Sequence, residues 1–255
     1  MAKTKRSPLV VITGASSGIG AATAQKYVEL GYRVVLLARR VEKLELMKKK
    51  LKGKASFYPL DVTSQEMVST VIAQIEKKEG PIDILVNNAG AAFGLELAQE
   101  AELSDWKRCV DLNINGVLYC TRAALTSMVK RNYGHIVNLG SIAGHYAYPG
   151  GNVYGATKAF VHHFSMNLRA DLFGTAVRVS CIEPGLVSGT EFSVVRFRGD
   201  KKRVKTLYEK TEALTPEDIA DAIVYCTSCP KHVNINTLEM MPVSQAPTHL
   251  AIARR

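Results

Sequence analysis

A glycine-rich turn between an apolar run and a helix constrains the fold of this chain more than any other feature. Residues 9–12 (LVVI) are rich in β-branched side chains, as expected for a strand buried on both faces. The turn TGASSGIG follows at residues 13–20, and a helical pattern then runs to Leu30, with Gly31 placed to end it. The order strand, turn and helix is typical of a nucleotide-binding unit.

Glycines let a backbone approach a pyrophosphate closely, and a helix N-terminus offers unpaired N–H groups. The spacing G-x-x-x-G-x-G also allows a plain glycine-rich turn, but in this setting we predict a phosphate-binding turn. Its candidate residues are Gly14, Ser16, Ser17, Gly18, Ile19 and Gly20.

Strand-like and helical patterns alternate along the rest of the chain. Such alternation with short turns predicts an open parallel sheet with helices on both faces, and ligands bind at the carboxyl ends of its strands. The further strands are expected at residues 33–38, 55–60, 82–86, 135–139, 177–182 and 237–241, and the helices at 41–51, about 105–131, 152–173 and 216–228. A further helix after the third strand would bury the stripe Val68, Val71, Ile72 and Ile75.

Three short segments predict local detail. Residues 63–66 (TSQE) have the spacing of a capping box, and Thr215 precedes a proline and two acids as a helix N-cap does. Asn is unfavourable inside a helix, so Asn113 and Asn115 beside Gly116 predict a break in the helix at 105–131.

Polar residues follow the second, third and fourth strands. Arg39 and Arg40 stand where dinucleotide-binding folds carry either an acid for the ribose 2′-hydroxyl or an arginine for a 2′-phosphate. We therefore predict NADP rather than NAD, with two plain surface arginines as the alternative. Asp61 and Val62 are placed to reach an adenine ring, and residues 87–90 (NNAG) end the fourth strand.

Tyr154 and Lys158 are four residues apart, a spacing that puts both side chains on one face of a helix. A nearby ammonium favours the phenolate, so Tyr154 could exchange a proton with a bound oxygen. Ser141, in the loop after the fifth strand, is a candidate donor to that oxygen, although a loop serine can simply form a turn.

Composition excludes several classes of protein. The 47% hydrophobic content of 255 residues allows a sizeable core, no apolar run is long enough to cross a membrane, and residues 1–8 lack the features of a signal peptide. We expect a cytoplasmic protein with a frayed N-terminus. The net charge of +10 suits an enzyme that gathers anionic ligands, and in the absence of a nucleic-acid motif we expect neither nucleic acid nor membrane as a partner.

The cysteines predict no metal site. Five of them are spread along the chain, as in a protein with reduced thiols. Cys226 and Cys229 form one C-x-x-C without two further ligands at suitable spacing, so we interpret them as packing residues at a helix end.

Residues 186–211 form a long basic stretch between regular elements, which is typical of a lid or binding loop. We find no linker or internal repeat and expect one domain over residues 1–255.

With these motifs assembled, the chain resembles the short-chain dehydrogenase/reductase family along nearly its whole length. The matching motifs are residues 13–20, 61–62, 87–90, Asn113, Ser141 with Tyr154 thirteen residues later, Lys158 and 184–185. The resemblance implies a Rossmann-like doubly wound parallel sheet in a single α/β domain.

The resemblance also implies a role for each matching residue. Tyr154 would be the general acid/base, Ser141 would orient the carbonyl, Lys158 would lower the pKa of the tyrosine and hold the nicotinamide ribose, and Asn113 would support a proton relay. Cofactor contacts would come from the phosphate-binding turn, Arg39, Arg40, Asp61, Val62, Asn88, Gly90, Tyr154, Lys158, Pro184, Gly185, Val187 and Thr190.

Residues 150–161, 183–197 and 233–243 look like one branch of that family, the NADP-dependent 3-hydroxy acid dehydrogenases. This implies small anionic substrates such as L-allo-threonine, L-serine, 3-hydroxypropionate or a semialdehyde, and a homotetramer. An anionic substrate needs a cation over the pocket. We expect Arg196 there, with Arg198 as second choice and Tyr148 as hydroxyl partner, or else both arginines are solvated loop charges.

Two alternatives remain open. The chain could reduce 3-oxoacyl thioesters or other carbonyls, or it could be a non-catalytic NADP-binding protein on the same fold. The sequence leaves undecided the physiological substrate, the direction of reaction, and whether the C-terminal tail completes a neighbouring subunit's site.

Overall fold

In the computed structural model, which describes residues 6–247, one sheet of seven parallel strands runs through the chain. Residues 1–5 and 248–255, on which the expectations about the N-terminal and C-terminal tails fall, lie outside the described residues. The order of the strands across the sheet is β3-β2-β1-β4-β5-β6-β7. Their bounds are β1 Leu9–Thr13, β2 Arg33–Ala38, β3 Ala55–Pro59, β4 Ile84–Asn87, β5 Gly134–Leu139, β6 Val177–Pro184 and β7 Thr237–Met240.

Nine α-helices connect and cover these strands within the described residues. Helices α1, α2 and α9 pack on one face of the sheet, and α3, α5 and α6 on the other. The bounds are α1 Gly18–Glu29, α2 Val41–Lys50, α3 Gln65–Lys78, α4 Leu103–Val110, α5 Gly116–Lys130, α6 Asn152–Asp171, α7 Phe192–Arg196, α8 Lys201–Tyr208 and α9 Pro216–Ser228. The predicted α/β doubly wound parallel sheet is confirmed.

The central strand β1 shows why its sequence is apolar throughout. Successive side chains of a strand point to opposite faces. Leu9 and Val11 belong to the core beneath α3 and α5, whereas Val10 and Ile12 belong to the core beneath α1 and α2. A strand with helices on both faces therefore has no solvent-facing position for a polar residue.

The order of the strands reverses beside β1. The chain builds outward from β1 through β2 to β3, then returns to β4 on the other side of β1 and builds outward to β7. The loops after β1 and β4 consequently leave in opposite directions and open a crevice at the carboxyl ends of these strands, where ligands bind in open α/β sheets.

One of the two predicted helix caps is wrong. At α3 the cap is Ser64, whose hydroxyl accepts the Met67 N–H at 3.2 Å. Thr63 instead donates to the Asp61 carboxylate at 2.8 Å, so the helix begins one residue later than the spacing suggested. The cap at α9 is confirmed, since Thr215 and Asp218 form a reciprocal capping box.

The predicted break at Asn113 is confirmed and takes the form of a π-helical turn, Asp111–Asn115, between α4 and α5. Such turns insert one extra residue into a helix and often occur at functional sites.

The segment 186–211 is more ordered than a simple loop, since it contains α7 and α8. The positive φ of Arg198 (52°) and Gly199 (88°) turns the chain between these two helices. Among the helices of residues 6–247, none is long and apolar enough to span a lipid bilayer.

Candidate active site

A cleft of about 1010 Å³ opens at the carboxyl ends of the strands, roofed by the 186–211 segment. All but two of the predicted site residues line it. The predicted residues in its wall are Gly14, Ser16, Ser17, Gly18, Ile19, Arg39, Arg40, Asp61, Val62, Asn88, Gly90, Ser141, Tyr148, Tyr154, Lys158, Pro184, Gly185, Val187, Thr190 and Arg196. Gly20 and Asn113 lie behind the wall and support it.

The turn after β1 is packed so closely that two of its glycine positions have no room for a side chain. Gly14 has φ +65°, and a Cβ on it would lie 2.9 Å from Asn88 Nδ2. A Cβ on Gly20 would lie 2.5 Å from the Gly14 carbonyl oxygen. The side chain of Ser17, the N-cap of α1, makes no cap hydrogen bond. The first N–H groups of α1 therefore face the cleft as an anion site, and this cradle fits a dinucleotide pyrophosphate.

Asn88 holds this turn in place from β4. Its Nδ2 donates to the carbonyls of Thr13 at 2.9 Å and Gly14 at 3.2 Å. The Thr13 hydroxyl accepts the N–H groups of Asn88 and Ala89, both at 3.0 Å. The crevice between β1 and β4 is thus rigid at the point where the cofactor was expected.

Arg40 reaches across the cleft to an acid that the sequence did not single out. Its Nη2 donates to Glu191 Oε2 at 2.6 Å and to Ser16 Oγ at 3.0 Å. Lys43 pairs with the same carboxylate, and Ser17 Oγ donates to it at 2.9 Å. Hydrogen bonds from Arg40, then from Lys43, lower the pKa of Glu191 to about 2.

The basic cluster at the predicted 2′-phosphate position thus already pairs with a carboxylate of this chain. The neighbouring Arg39 is exposed on the cleft wall. Only the folded roof brings Glu191 to Arg40, because the two residues are 151 positions apart in the chain.

The predicted adenine side of the cleft is formed after β3. Asp61 turns its carboxylate toward its own backbone, where it accepts the Thr63 N–H at 3.0 Å. Val62 is buried and packs against Gly116, where a Cβ would lie 2.8 Å from a Val62 methyl group. Both residues lie at the cleft, as the sequence predicted.

Tyr154 and Lys158 lie on one face of α6 in the depth of the cleft. The Lys158 Nζ lies 5.9 Å from the centre of the Tyr154 ring and donates to the Leu139 carbonyl at 2.7 Å. Ser141 ends the loop from β5, where its Oγ accepts the Ala143 N–H at 3.1 Å. The end of β5, the loop that follows it and α6 thus meet around one small volume.

The pKa of Tyr154 departs from the expectation. Burial raises the pKa of the phenol, and the neighbouring Ser141 hydroxyl opposes this shift without reversing it. Burial also lowers the pKa of Lys158 to about 8. Burial therefore outweighs the neighbouring groups that favour the phenolate. The lowering of the tyrosine pKa by Lys158 stays a prediction.

Arg196 of α7 stands over Tyr154, with its guanidinium carbon 5.7 Å from the ring centre. Its Nη2 donates to Tyr148 Oη at 2.9 Å, and its Nε donates to the Gly94 carbonyl at 3.1 Å. The predicted pair of Arg196 and Tyr148 is therefore brought together. Arg198, the second choice, is held elsewhere, since its Nη2 pairs with Asp105 of α4 at 2.8 Å.

Comparison with known proteins identifies the family. The model of the short chain dehydrogenase family matches residues 8–200. The chain belongs to this family. Short-chain dehydrogenases act on CH–OH groups, so the chain is an enzyme, and the alternative of a non-catalytic binding protein is set aside.

Relatives within the short-chain dehydrogenases align over almost the full length. The chain is 51% identical over 246 residues to the NADP-dependent 3-hydroxy acid dehydrogenase YdfG of Salmonella typhi, covering 96% of this chain and 99% of that protein. It is 45% identical over 240 residues to the serine 3-dehydrogenase of Rhizobium radiobacter, covering 94% and 96%. Among solved structures, the closed form of a serine dehydrogenase complexed with NADP+ matches with a TM-score of 0.95 at 49% identity, covering 97% and 100%.

Asn113 lies behind the wall of the cleft, whereas the other predicted catalytic residues of this short-chain dehydrogenase line it. It is buried, and its Nδ2 donates to the Ala91 carbonyl at 2.9 Å and to Thr157 Oγ1 at 3.0 Å. Its Oδ1 accepts the Ala91 N–H at 3.0 Å. Asn113 therefore ties the π-helical turn to the loop after β4 and to α6, and its part in a proton relay stays a prediction.

Phe192, within the 183–197 stretch that resembles the family branch, packs its ring against Tyr154 with centres 5.5 Å apart. Sequence reasoning missed several other residues of the cleft. Gln245 Oε1 accepts the Leu186 N–H at 2.8 Å. The polar C-terminal segment carries no motif of its own, so only the folded chain shows Gln245 to be a neighbour of the site. The other missed residues that line it include Phe93, Leu95, Arg108, Leu207, Tyr208 and Pro247.

Proposed function

We propose that the enzyme transfers hydride between NADP(H) and a small 3-hydroxy acid or the corresponding semialdehyde or keto acid. The substrates proposed are of the type of L-allo-threonine, L-serine and 3-hydroxypropionate. The observation that carries this proposal is the Arg196–Tyr148 pair above the Tyr154 ring, because it sets a cation beside the acid/base residue.

The substrate's anionic group is bound by Arg196. Its Nε and Nη2 already have partners, and its position is held from the backbone side as well, where the Gly94 N–H donates to the Arg196 carbonyl at 3.0 Å. A planar guanidinium suits a carboxylate better than a lysine ammonium does. A fixed cation of this kind favours substrates that carry an anion a few bonds from the reacting carbon.

The proton of the reaction is handled by Tyr154. In the direction of reduction the hydride creates an alkoxide, which needs a placed proton donor and dipoles aimed at it. A raised pKa keeps the Tyr154 phenol protonated and ready to donate to the alkoxide oxygen. The Ser141 hydroxyl donates a hydrogen bond to the same alkoxide oxygen. In oxidation Tyr154 must first release its own proton to solvent, and the resulting phenolate then takes the proton of the hydroxyl group.

The cofactor is NADP. When bound, this cofactor supplies or takes up the hydride. The uncapped end of α1 would hold its pyrophosphate, Arg40 and Arg39 would hold the 2′-phosphate, and Asp61 and Val62 would flank the adenine. Lys158 would hold the nicotinamide ribose, and the segment from Pro184 to Phe192 would flank the nicotinamide.

The experiment is a panel of NADP and NAD against L-allo-threonine, L-serine, 3-hydroxypropionate and a neutral secondary alcohol, followed by the absorbance of the reduced nicotinamide. Reduction of NADP with the acids but not with the alcohol supports the proposal. Activity with the alcohol alone, or with a 3-oxoacyl thioester in the reverse direction, would move the substrate class to the alternative and leave the chemistry of Tyr154 intact.

We further propose one domain over residues 1–255 and a homotetramer in the cytoplasm. Large apolar side chains stand exposed on and beside two helices, among them Met166 (49%), Phe173 (87%) and Tyr225 (58%), and a contact between subunits would cover them. Light scattering of the purified enzyme gives its mass directly, and a monomeric mass would contradict the assembly.

A further inference from the structure

Two histidines and one glutamate converge behind the active site, although the sequence suggested no metal centre. His145 Nε2 lies 2.8 Å from Glu183 Oε2, and His162 Nδ1 lies 2.8 Å from Glu183 Oε1. One potential ligand atom from each of the three residues lies within 4.8 Å of the others. The two imidazole rings meet edge to face with centres 4.5 Å apart.

Three separate elements bring these side chains together. Glu183 lies near the end of β6, His162 lies on α6 four residues after Lys158, and His145 follows the 3₁₀ turn Ile142–Gly144 that begins at Ser141. His162 lies 21 positions and His145 lies 38 positions before Glu183 in the chain. No local sequence motif therefore indicates the cluster.

The burial of the cluster is graded from the inside outward. The Glu183 side chain is 1% exposed, His162 is 23% exposed and His145 is 30% exposed. A buried carboxylate needs compensation, because removing a charge from water is costly. Apart from the two imidazoles, its hydrogen-bonding partner among the described residues is the Cys181 thiol at 3.5 Å. No Lys or Arg forms a salt bridge with this buried acid within residues 6–247.

The donor set is the one preferred by a divalent transition metal. Imidazole nitrogen suits zinc, copper, iron and nickel, whereas magnesium and calcium prefer oxygen ligands alone. Two histidines and one glutamate bind zinc in known enzymes, with a further position left for water. Here that position would lie on the exposed side of His145, which also provides an entry path for the ion.

We propose that His145, His162 and Glu183 form a binding site for Zn²⁺, separate from the NADP cleft. The ion neutralises the buried carboxylate and links the turn after Ser141, helix α6 and the end of β6 through direct bonds. The expected consequence is a more stable fold around the catalytic residues rather than a chemical step of the reaction.

Binding requires only a rearrangement of protons on the two rings. An ionised carboxylate only accepts hydrogen bonds, so each imidazole donates its ring N–H to Glu183. To ligate, His145 Nε2 and His162 Nδ1 must each present a lone pair, and the proton moves through solvent to the other nitrogen of the same ring. Because a ring nitrogen that carries a proton does not ligate, protons compete with zinc and the affinity for zinc falls in acid.

The test uses the untagged full-length enzyme, freed of metal with a chelator and titrated with Zn²⁺ by calorimetry. The variants are His145→Gln and His162→Gln, and the matched control is His163→Gln, the exposed next residue on the same helix. Glu183 is left unchanged because it is completely buried. Its replacement is expected to disturb the fold, and a loss of zinc binding by a misfolded variant would say nothing about ligation. The Tm of each variant without metal shows whether its fold is intact.

We expect one Zn²⁺ per wild-type chain and a rise in Tm of about 5–10 °C at a hundredfold excess over Kd. Both cluster variants should lose at least about tenfold in affinity, as is common when a ligand is removed, whereas His163→Gln should bind as the wild type does. Magnesium should produce no such shift.

Several results would overturn the proposal. The wild type could show no saturable binding of Zn²⁺, the His145 and His162 variants could keep the affinity of the wild type, or the His163 control could lose as much affinity as they do. In each case the three side chains would be a hydrogen-bonded cluster alone. Comparable binding of Mg²⁺ would also contradict it, because the imidazoles would then play no part.

Discussion

Arg40 and Glu191 form an ion pair across the cleft, with Nη2 and Oε2 2.6 Å apart. Arg40 follows β2 and Glu191 precedes α7 in the roof, so the pair links the floor of the predicted 2′-phosphate site to its cover. The carboxylate lies at the predicted position of the 2′-phosphate. A phosphate arriving at Arg40 must therefore displace or share this partner.

Replacing Glu191 by glutamine should strengthen NADP binding. The amide keeps the size of the side chain but no longer competes with the 2′-phosphate for Arg40 and Lys43. We expect the Kd for NADP to fall several-fold, with that for NAD much less affected, as measured by fluorescence titration. Glu209→Gln, an exposed acid beyond α8, is the control. An unchanged or weaker NADP affinity would mean that Glu191 assists the phosphate.

Replacing Arg39 and Arg40 together by alanine should reduce the preference for NADP over NAD. A hydrogen bond to a charged group contributes about 1.5–3 kcal/mol, so the ratio of kcat/KM for the two cofactors should fall by about 10- to 100-fold. Arg122→Ala, on the exposed face of α5, is the control. It tests whether the loss of a positive charge outside the cleft changes the ratio. A ratio that stays constant in the double variant would refute the 2′-phosphate assignment.

Tyr154→Phe should abolish turnover while cofactor binding remains nearly intact. General acid–base groups contribute about 100- to 10,000-fold to the rate, and phenylalanine keeps the ring that packs against Phe192. Steady-state kinetics and a binding titration separate the two effects. Tyr148→Phe, which removes a hydroxyl bonded to Arg196, should retain the chemical step. Substantial turnover by the Tyr154 variant would exclude it as the acid/base.

Arg196→Ala should raise KM for hydroxy acids by about 10- to 100-fold, with little change for a neutral alcohol, because only the acids lose a charged partner. Arg198→Ala is the matched control, since this arginine lies two residues away but pairs with Asp105. Equal effects on acids and alcohols would show that Arg196 shapes the roof without binding the anion.

Lys158→Met should change how stability depends on pH. Burial lowers the pKa of Lys158 from 10.5 to about 8, so between these values the unfolded chain binds one proton more than the folded chain. The wild type therefore gains stability as pH rises through this window, and below about pH 8 the full penalty of the buried charge is present.

The variant lacks this titration. At 1.36 kcal/mol per pKa unit, the free energy of unfolding of the variant relative to the wild type should fall by about 3 kcal/mol between pH 7 and pH 10.5. Denaturant unfolding at both pH values measures the change, with the exposed Lys77→Met as control. A difference that stays flat with pH would show that Lys158 is not buried as a charge.

The sequence alone determined the alternation of strands and helices, the phosphate-binding turn and the set of residues at the strand ends. These features depend on local patterns: β-branched runs make buried strands, and glycines are required where Gly14 and Gly20 approach Asn88 and each other. The parallel order of the sheet then requires the strand ends to meet at one edge. The placement of Arg39, Asp61, Ser141 and Tyr154 around one cleft follows from this.

Only the tertiary structure decided which charges meet. Glu191 reaches Arg40 over 151 positions, and Glu183 collects His145 and His162 from two other elements. It also decided that Tyr154 is buried, which raises the pKa of its phenol. The physical reason is the same in each case. Charge pairing and desolvation depend on distances through space and on the surrounding polarity, and neither is recorded in the spacing of residues along the chain.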